Sequence, residues 1–207
     1  VDVDGASGKV FVVDVGHHRV LRYPSIAAYV NGEPAEAVLG QSDLYSAEPK
    51  TTAAGLNTPS MATLDAAGRL WVLDAGNYRV VRWDQAATVA SGAPAVQVLG
   101  QPDFVSASNG GDGRMSQPTA LAMDSKGRLY VGDSRGRRIL RFDGAAAKTN
   151  GAPANGILGQ PDFQTYVVGK APNQFEAVND LAVDAQDRLW VADYMNNRVV
   201  RFDAPAS

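Results

Sequence analysis

At 207 residues with 45% apolar content, the chain is long enough to bury a substantial core, and its composition excludes a disordered or fibrous polypeptide. Its 19 Lys and Arg against 22 Asp and Glu leave a formal charge of -3, which provides no whole-molecule positive field for collecting nucleic acid or anionic lipid. The absence of cysteine removes disulfide frameworks, thiolate zinc sites, iron–sulfur ligation and thiol nucleophiles together.

No run approaches the roughly 18 apolar residues of a membrane span, and "VDVDGASGKVFVVD" (1–14) has no basic region ahead of an apolar core. In chain order, "VDVD" (1–4) ends one short strand, and "GKVFVVDVGHHRVLRY" (8–23) predicts two more about a tight turn. An alanine-containing insertion, "PSIAAYVNGEPAEA" (24–37), predicts one short helical turn before an outer strand in "VLGQSDL" (38–44), and a longer loop follows at 45–55. The same order returns as "SMATLD" (60–65), "GRLWVLDAGNYRVVRW" (68–83), "DQAATVASGAPAVQ" (84–97) and "VLGQPDF" (98–104), with a loop near 105–114. It returns again as "TALAMD" (119–124), "GRLYVGDSRGRRILRF" (127–142), "DGAAAKTNGAPANG" (143–156) and "ILGQPDF" (157–163), with a loop near 164–174. The fourth copy has "NDLAVD" (179–184) and "DRLWVADYMNNRVVRF" (187–202) but no third block.

The register is strict. Asp14, Asp74, Asp133 and Asp193 are 60, 59 and 60 residues apart, and Arg19, Arg79, Arg138 and Arg198 keep those separations. A second arginine recurs as Arg22, Arg82, Arg141 and Arg201. Each unit therefore predicts a four-stranded meander with turns at positions such as Ala66–Gly68 and Ala75–Asn77, where glycine and asparagine tolerate the backbone angles. The "RLWVL" strands are apolar at successive positions, as expected of sheets covered on both faces. Tandem sheets of this kind fit an all-β, radially packed β-propeller, one blade per unit. The predicted organisation is a single propeller domain, or part of one, over 1–207, with blades at 1–44, 56–104, 115–163 and 175–203, the last lacking its outer strand.

The stretch "LNTPSMATLDAAGRLWVLDAGNYRVVRW" (56–83) resembles NHL repeats, and the likeness holds in register across four copies. The "VLGQPDF" block resembles that of a bacterial subgroup of such proteins, many of them exported. The resemblance implies a six-bladed ring, an extracellular, periplasmic or cell-surface location in a bacterium, and a scaffold for binding. Four incomplete units leave three arrangements open: a piece of a larger ring, which is preferred, closure with a partner chain, or four blades with one thin.

A residue needed in every copy belongs to the frame, whereas a catalytic residue is needed once. The two arginine series, Gln41, Gln101 and Gln160, and Asp43, Asp103 and Asp162 are thus expected to hold blades and turns together. The copies disagree in the shared loop: Val15–His18, Ala75–Tyr78, Ser134–Arg137 and Tyr194–Asn197. Variable loops on a fixed frame are where recognition residues collect. His17, His18, Tyr78, Arg135, Arg137, Tyr194 and Asn197 form the candidate binding set, all on one face. On the predicted inner strand of the fourth copy, Asn179 and Asp180 stand where the others have Ser60 and Met61 or Thr119 and Ala120, and Asp180 is expected to pair with a neighbouring arginine.

Adjacent histidines point apart, so His17 and His18 make a poor metal pair, and no catalytic set or metal site is assigned. No cofactor is expected; calcium is the one candidate, on the likeness to lactonase-type propellers that hold it at the axis with Glu, Asn and Asp. The basic stretch "SRGRRILR" (134–141) leaves only Arg135 and Arg137 outside the frame, which argues against nucleic acid. The leading functional expectation is a non-catalytic binding or assembly module that presents loops to a protein, peptide or glycan. The alternatives are a propeller enzyme of the lyase or lactonase type with an axial metal site, and a structural subunit that self-associates through open blade edges.

Overall fold

Short runs of β-branched and aromatic residues between glycine-bearing turns become strands throughout the chain. The structure, a computed structural model, describes residues 1–110, 114–203 and 205, so part of the expected loop at 105–114 and the end of the chain lie outside the described residues. The chain divides into two units, Val1–Ala107 and Ser108–Ser207.

In the first unit, β1 (Asp2–Val3), β2 (Lys9–Asp14), β3 (Arg19–Ser25) and β4 (Ala37–Leu39) form one antiparallel sheet in that order, blade 1. Blade 2 repeats it with β5 (Pro59–Leu64), β6 (Leu70–Asp74), β7 (Arg79–Trp83) and β8 (Gln97–Leu99). The continuous apolar run "LWVLD" is buried at all five positions of β6, as a strand covered on both faces requires. Phe11, Val20 and Leu39 of blade 1 meet Leu70, Val72 and Trp83 of blade 2 in one buried cluster, so the two sheets pack face to face.

The second unit holds blade 3, made of β9 (Pro118–Met123), β10 (Leu129–Asp133), β11 (Arg138–Phe142) and β12 (Gly156–Leu158). Among the described residues blade 4 has three strands, β13 (Val178–Val183), β14 (Leu189–Asp193) and β15 (Arg198–Phe202). Thr119 Oγ1 donates to Val178 O at 2.6 Å, which ties the inner strands of blades 3 and 4 together. Gly132 lies where these strands meet: a Cβ there would come within 2.8 Å of Val178 Cγ1.

The turn between the first two strands of each blade needs a left-handed residue, supplied by Gly8, Gly68 and Gly127 at φ 71–72°. Blade 4 puts Asp187 there at φ 58°. Its carboxylate accepts the Ser125 N–H at 2.9 Å and hydroxyl at 2.7 Å, a bond to blade 3 that glycine could not make. Of the three insertions expected to form a helical turn, only Ala145–Ala147 does so as a 3₁₀ helix; the others are hydrogen-bonded turns.

Candidate functional site

In each blade the hairpin that carries the variable loop is closed by the recurrent Asp and Arg, which face each other across the strands as Asp14 with Arg19, Asp74 with Arg79, Asp133 with Arg138 and Asp193 with Arg198. Arg79 Nε donates to Asp74 Oδ2 at 2.7 Å, Nη1 to Phe104 O at 2.6 Å, and Nη2 to Thr52 O and Gly55 O at 2.9 Å. Every arm of the guanidinium is used, and both side chains are fully buried. Arg138 repeats the pattern on Asp133, Phe163 O and Arg114 O. Arg198 repeats it on Asp193, Lys170 O, Ala171 O and Gln174 O. The carboxylate also caps the incoming chain: Asp74 accepts Asn57 N–H, Asp133 those of Ser116 and Gln117, and Asp193 those of Glu176 and Ala177. Burial pushes the Asp74 carboxyl up, against the Arg79 guanidinium and the Asn57 and Asn77 donors that pull it down.

Above these clamps the loop residues fall into distinct roles. The third position belongs to the frame in three copies: Asn77 Nδ2, Asn196 Nδ2 and His17 Nδ1 each bond their clamp carboxylate at 2.8 Å. The His17 ring takes the place of an asparagine amide on its clamp carboxylate while its side chain stays 58% exposed. In the third copy this position is Gly136, where a Cβ would press to 2.5 Å from Asp133 Oδ2.

The fourth position carries the feature that sequence reasoning missed. His18, Tyr78, Arg137 and Asn197 all lie in the left-handed region, at φ 51–54°. For a residue other than glycine or asparagine this costs on the order of 1 kcal/mol. Three of them are held by the "LGQ" glutamine, whose Nε2 donates to the carbonyl of His18, Tyr78 or Arg137 at 3.1 Å in every case. In blade 4 the residue is asparagine, and among the described residues no glutamine bonds its carbonyl. His18 makes a further bond, its Nδ1 accepting the Thr58 N–H at 2.8 Å. Asp43, Asp103 and Asp162 each accept the N–H groups two and three residues on, which shapes the following turn; for Asp43 these bonds hold the carboxyl down at about 2.

The remaining candidates are available for contact. Arg135, Tyr194 and Asn197 are exposed, Tyr194 by 64%. Tyr78 is half-buried. Arg137 is half-buried, with Nη1 at 3.4 Å from Tyr166 O, and Tyr166 itself lies over Arg138 with the guanidinium carbon 5.3 Å from its ring centre. Asn179 and Asp180 are exposed on β13. The expected arginine partner of Asp180 is not observed among the described residues; its Oδ1 accepts the Leu181 N–H at 2.8 Å instead. This pair offers too few oxygens for calcium, which takes six to eight, and among the described residues no cluster of three His, Asp or Glu could hold a metal.

The NHL repeat family matches residues 178–202. No curated protein matches the sequence. Among solved structures, a streptogramin B lyase is 10% identical over 100% of this chain and 54% of its own, with a TM-score of 0.54. An auxiliary nutrient binding protein from Bacteroides thetaiotaomicron is 11% identical over 96% and 46%, with a TM-score of 0.62. An extracellular domain from the same organism is 15% identical over 97% and 24%, with a TM-score of 0.52. The chain thus spans about half or less of the length of the structures it matches, and at these identities the likeness shows the fold alone. Among the described residues no helix is long and apolar enough to cross a membrane. The chain thus has a β-propeller-type fold of four blades that share one Asp–Arg clamp in the same register, and the fourth of them matches the NHL repeat.

Proposed function

We propose that the chain is a non-catalytic recognition module, placed outside the bacterial cytoplasm, that presents the hairpin loops of its blades to a peptide, protein or glycan. The observation that carries this reading is the left-handed fourth position. Asparagine or glycine would occupy it at less cost, yet Tyr78 and Arg137 stand there, each with its carbonyl gripped by a glutamine from the turn after the outer strand. A frame that over-determines a costly backbone and spends it on an aromatic and a cationic side chain is organised for contact. In the second unit Arg135, Arg137, Tyr166 and Tyr194 supply cationic and aromatic groups suited to sugar hydroxyls, carboxylates and aromatic peptide side chains. A nutrient-binding protein among the structures of the same fold is in keeping with such a role.

The chain is to be screened against arrays of oligosaccharides and peptides, and the best binder titrated against Arg135→Ala, Arg137→Asn and Tyr194→Ala. Each substitution is expected to weaken binding by about tenfold or more. Unaltered affinity in all three, with the fold intact, would remove these loops as the site.

A further inference from the structure

We propose that the cleft between blades 1 and 2, at the strand ends opposite the variable hairpins, binds the protonated amine of a small hydroxylated ligand such as an amino sugar, with Asp4 as its anionic anchor. The site is separate from the hairpin loops and does not rest on the recognition role proposed for them.

Asp4 is the first copy of the aspartate that follows the inner strand of every blade. The other three copies are each bound by an arginine and an aromatic donor. Asp65 accepts from Arg69 Nε at 2.6 Å and Trp71 Nε1 at 2.9 Å, and Asp184 from Arg188 Nε at 2.7 Å and Trp190 Nε1 at 2.8 Å. Asp124 accepts from Arg128 Nε and from the Tyr130 hydroxyl at 3.1 Å. Blade 1 has Lys9 and Phe11 at those two positions. Phenylalanine has no donor to offer, and Lys9 turns instead to Glu36, with Nζ 2.5 Å from Oε1. Asp4 keeps only donors from its own turn, which is one residue longer than the others, "DGASG" against "DAAG" and "DSKG". These are the Ser7 hydroxyl, the Ser7 N–H at 3.1 Å and the Ala6 N–H at 3.4 Å. The Ser7 hydroxyl holds the Asp4 carboxyl below its ordinary value, so the group is charged near neutrality. Asp4 is 6% exposed, and among the described residues no cation pairs with it. A buried carboxylate in that condition is stabilised by any cation that reaches it.

A way in exists. Asp4 and Ser7 line an open cleft of about 450 Å³ with Gly68, Gln85 and Thr88 of blade 2, the rest of the lining being alanine. In the second unit the corresponding gap is crossed by the Asp187 carboxylate, bonded to Ser125. Blade 2 has Gly68 at that position, and a Cβ built there would stand 3.9 Å from Asp4 Oδ1, so the carboxylate faces the gap. Gln85 is held left-handed at φ 51°, where blade 3 places Gly144 at φ 54°, so a costly side chain stands at the cleft in place of a free one. The volume suits a small ligand. Ser7, Gln85 and Thr88 offer hydrogen bonds to hydroxyl groups, and no aromatic ring is there to receive a flat apolar one. One carboxylate among neutral groups fits a single ammonium and not a calcium ion, which takes about six to eight oxygens.

The test is an NMR titration of the ¹⁵N-labelled chain at about pH 6, where a primary amine is protonated, with glucosamine, N-acetylglucosamine and glucose as probes. Glucosamine is expected to shift the amide signals of residues 4–8 and 66–68 saturably, with a Kd of about 1 mM or below. N-acetylglucosamine keeps the ring and loses the charge; it and glucose should each bind about tenfold more weakly or worse. Asp4→Asn retains an oxygen for the Ser7 N–H and should weaken glucosamine binding by about tenfold, to the level of glucose. Ala67→Arg puts a cation into the cleft from an exposed position and should have a similar effect, which keeps the proposal open to refutation if Asp4→Asn does not fold. The proposal is overturned if glucosamine does not bind at these residues, or shifts only the hairpin loops. Equal affinity for glucosamine and N-acetylglucosamine overturns it as well, as does undiminished binding by either folded variant.

Discussion

Blades 1 and 2 carry the same Asp and Arg in the same hairpin register, yet one clamp is sealed and the other is not. Asp74 and Arg79 have fully buried side chains, whereas Asp14 and Arg19 keep 23% and 14% of theirs exposed. In blade 2 the loop that enters the blade closes over the clamp. Over blade 2, Thr52 and Gly55 turn their carbonyls onto Arg79, Lys50 O accepts from Asn77, and Asn57 N–H caps Asp74. In blade 1, Arg19 donates to Asp14 and to Leu44 O among the described residues. A repeated motif thus fixes the hairpin, while the connection between blades decides how much the motif is worth.

The sharpest way to break this comparison is to remove the carboxylate in each. Asp74→Ala leaves a buried guanidinium without its counter-charge and is expected to cost about 3–5 kcal/mol. Asp14→Ala leaves a partly hydrated one and is expected to cost about 1 kcal/mol. Urea unfolding of both variants at neutral pH measures the gap. Equal losses would mean that the entering loop adds nothing to the clamp.

Much of this architecture is legible in the sequence because repetition multiplies a weak signal. One Asp five residues before an Arg says little, but four in step announce a frame, and hairpin register turns that spacing into a cross-strand pair. The division of labour within the loop is less visible. His17 differs in residue type from Asn77 and Asn196, so it stands out as a candidate, although its place in the repeat marks it as their equivalent. The left-handed fourth position is signalled by Asn197 alone. The glutamine bonds that stabilise it span 23 residues and follow from the folded sheet, not from any local pattern. The surroundings of Asp180 are hidden for a related reason, since its neighbours in space depend on how blades pack.

Acid should act with opposite sign at particular groups. Burial pushes the Asp14, Glu36 and Asp65 carboxyls up, but the donors around them outweigh it and hold them below the ordinary range: His17 and Arg19, Lys9 and Arg22, Trp71 and Arg69 respectively. A lowered folded-state value means that the unfolded chain takes up protons first. The stabilisation is complete above about pH 4 and is lost as pH falls through the lower folded values. Asp74, pushed up by burial, works the other way and contributes more as pH falls. Asp4, Asp43, Asp103, Asp162, Asp184, Asp187 and Asp193 are lowered as well, so the melting temperature is expected to be level near neutrality and to drop below about pH 4. Asp14→Asn should make that drop shallower. A profile unchanged by the substitution would take Asp14 out of the acid response.

The smallest effect bears most directly on function. Tyr78→Asn and Arg137→Asn relieve a left-handed backbone without touching the clamp, and each is expected to raise stability by about 0.5–1 kcal/mol. Asn197→Tyr is expected to lower it by a similar amount, about 0.5–1 kcal/mol, because among the described residues no glutamine holds the carbonyl in blade 4. Stability gained together with affinity lost at Arg137 is the mark of a residue retained for contact at the expense of the fold. If the same substitution leaves stability unchanged, the left-handed turn is unstrained there, and the argument that these loops are organised for recognition loses its foundation.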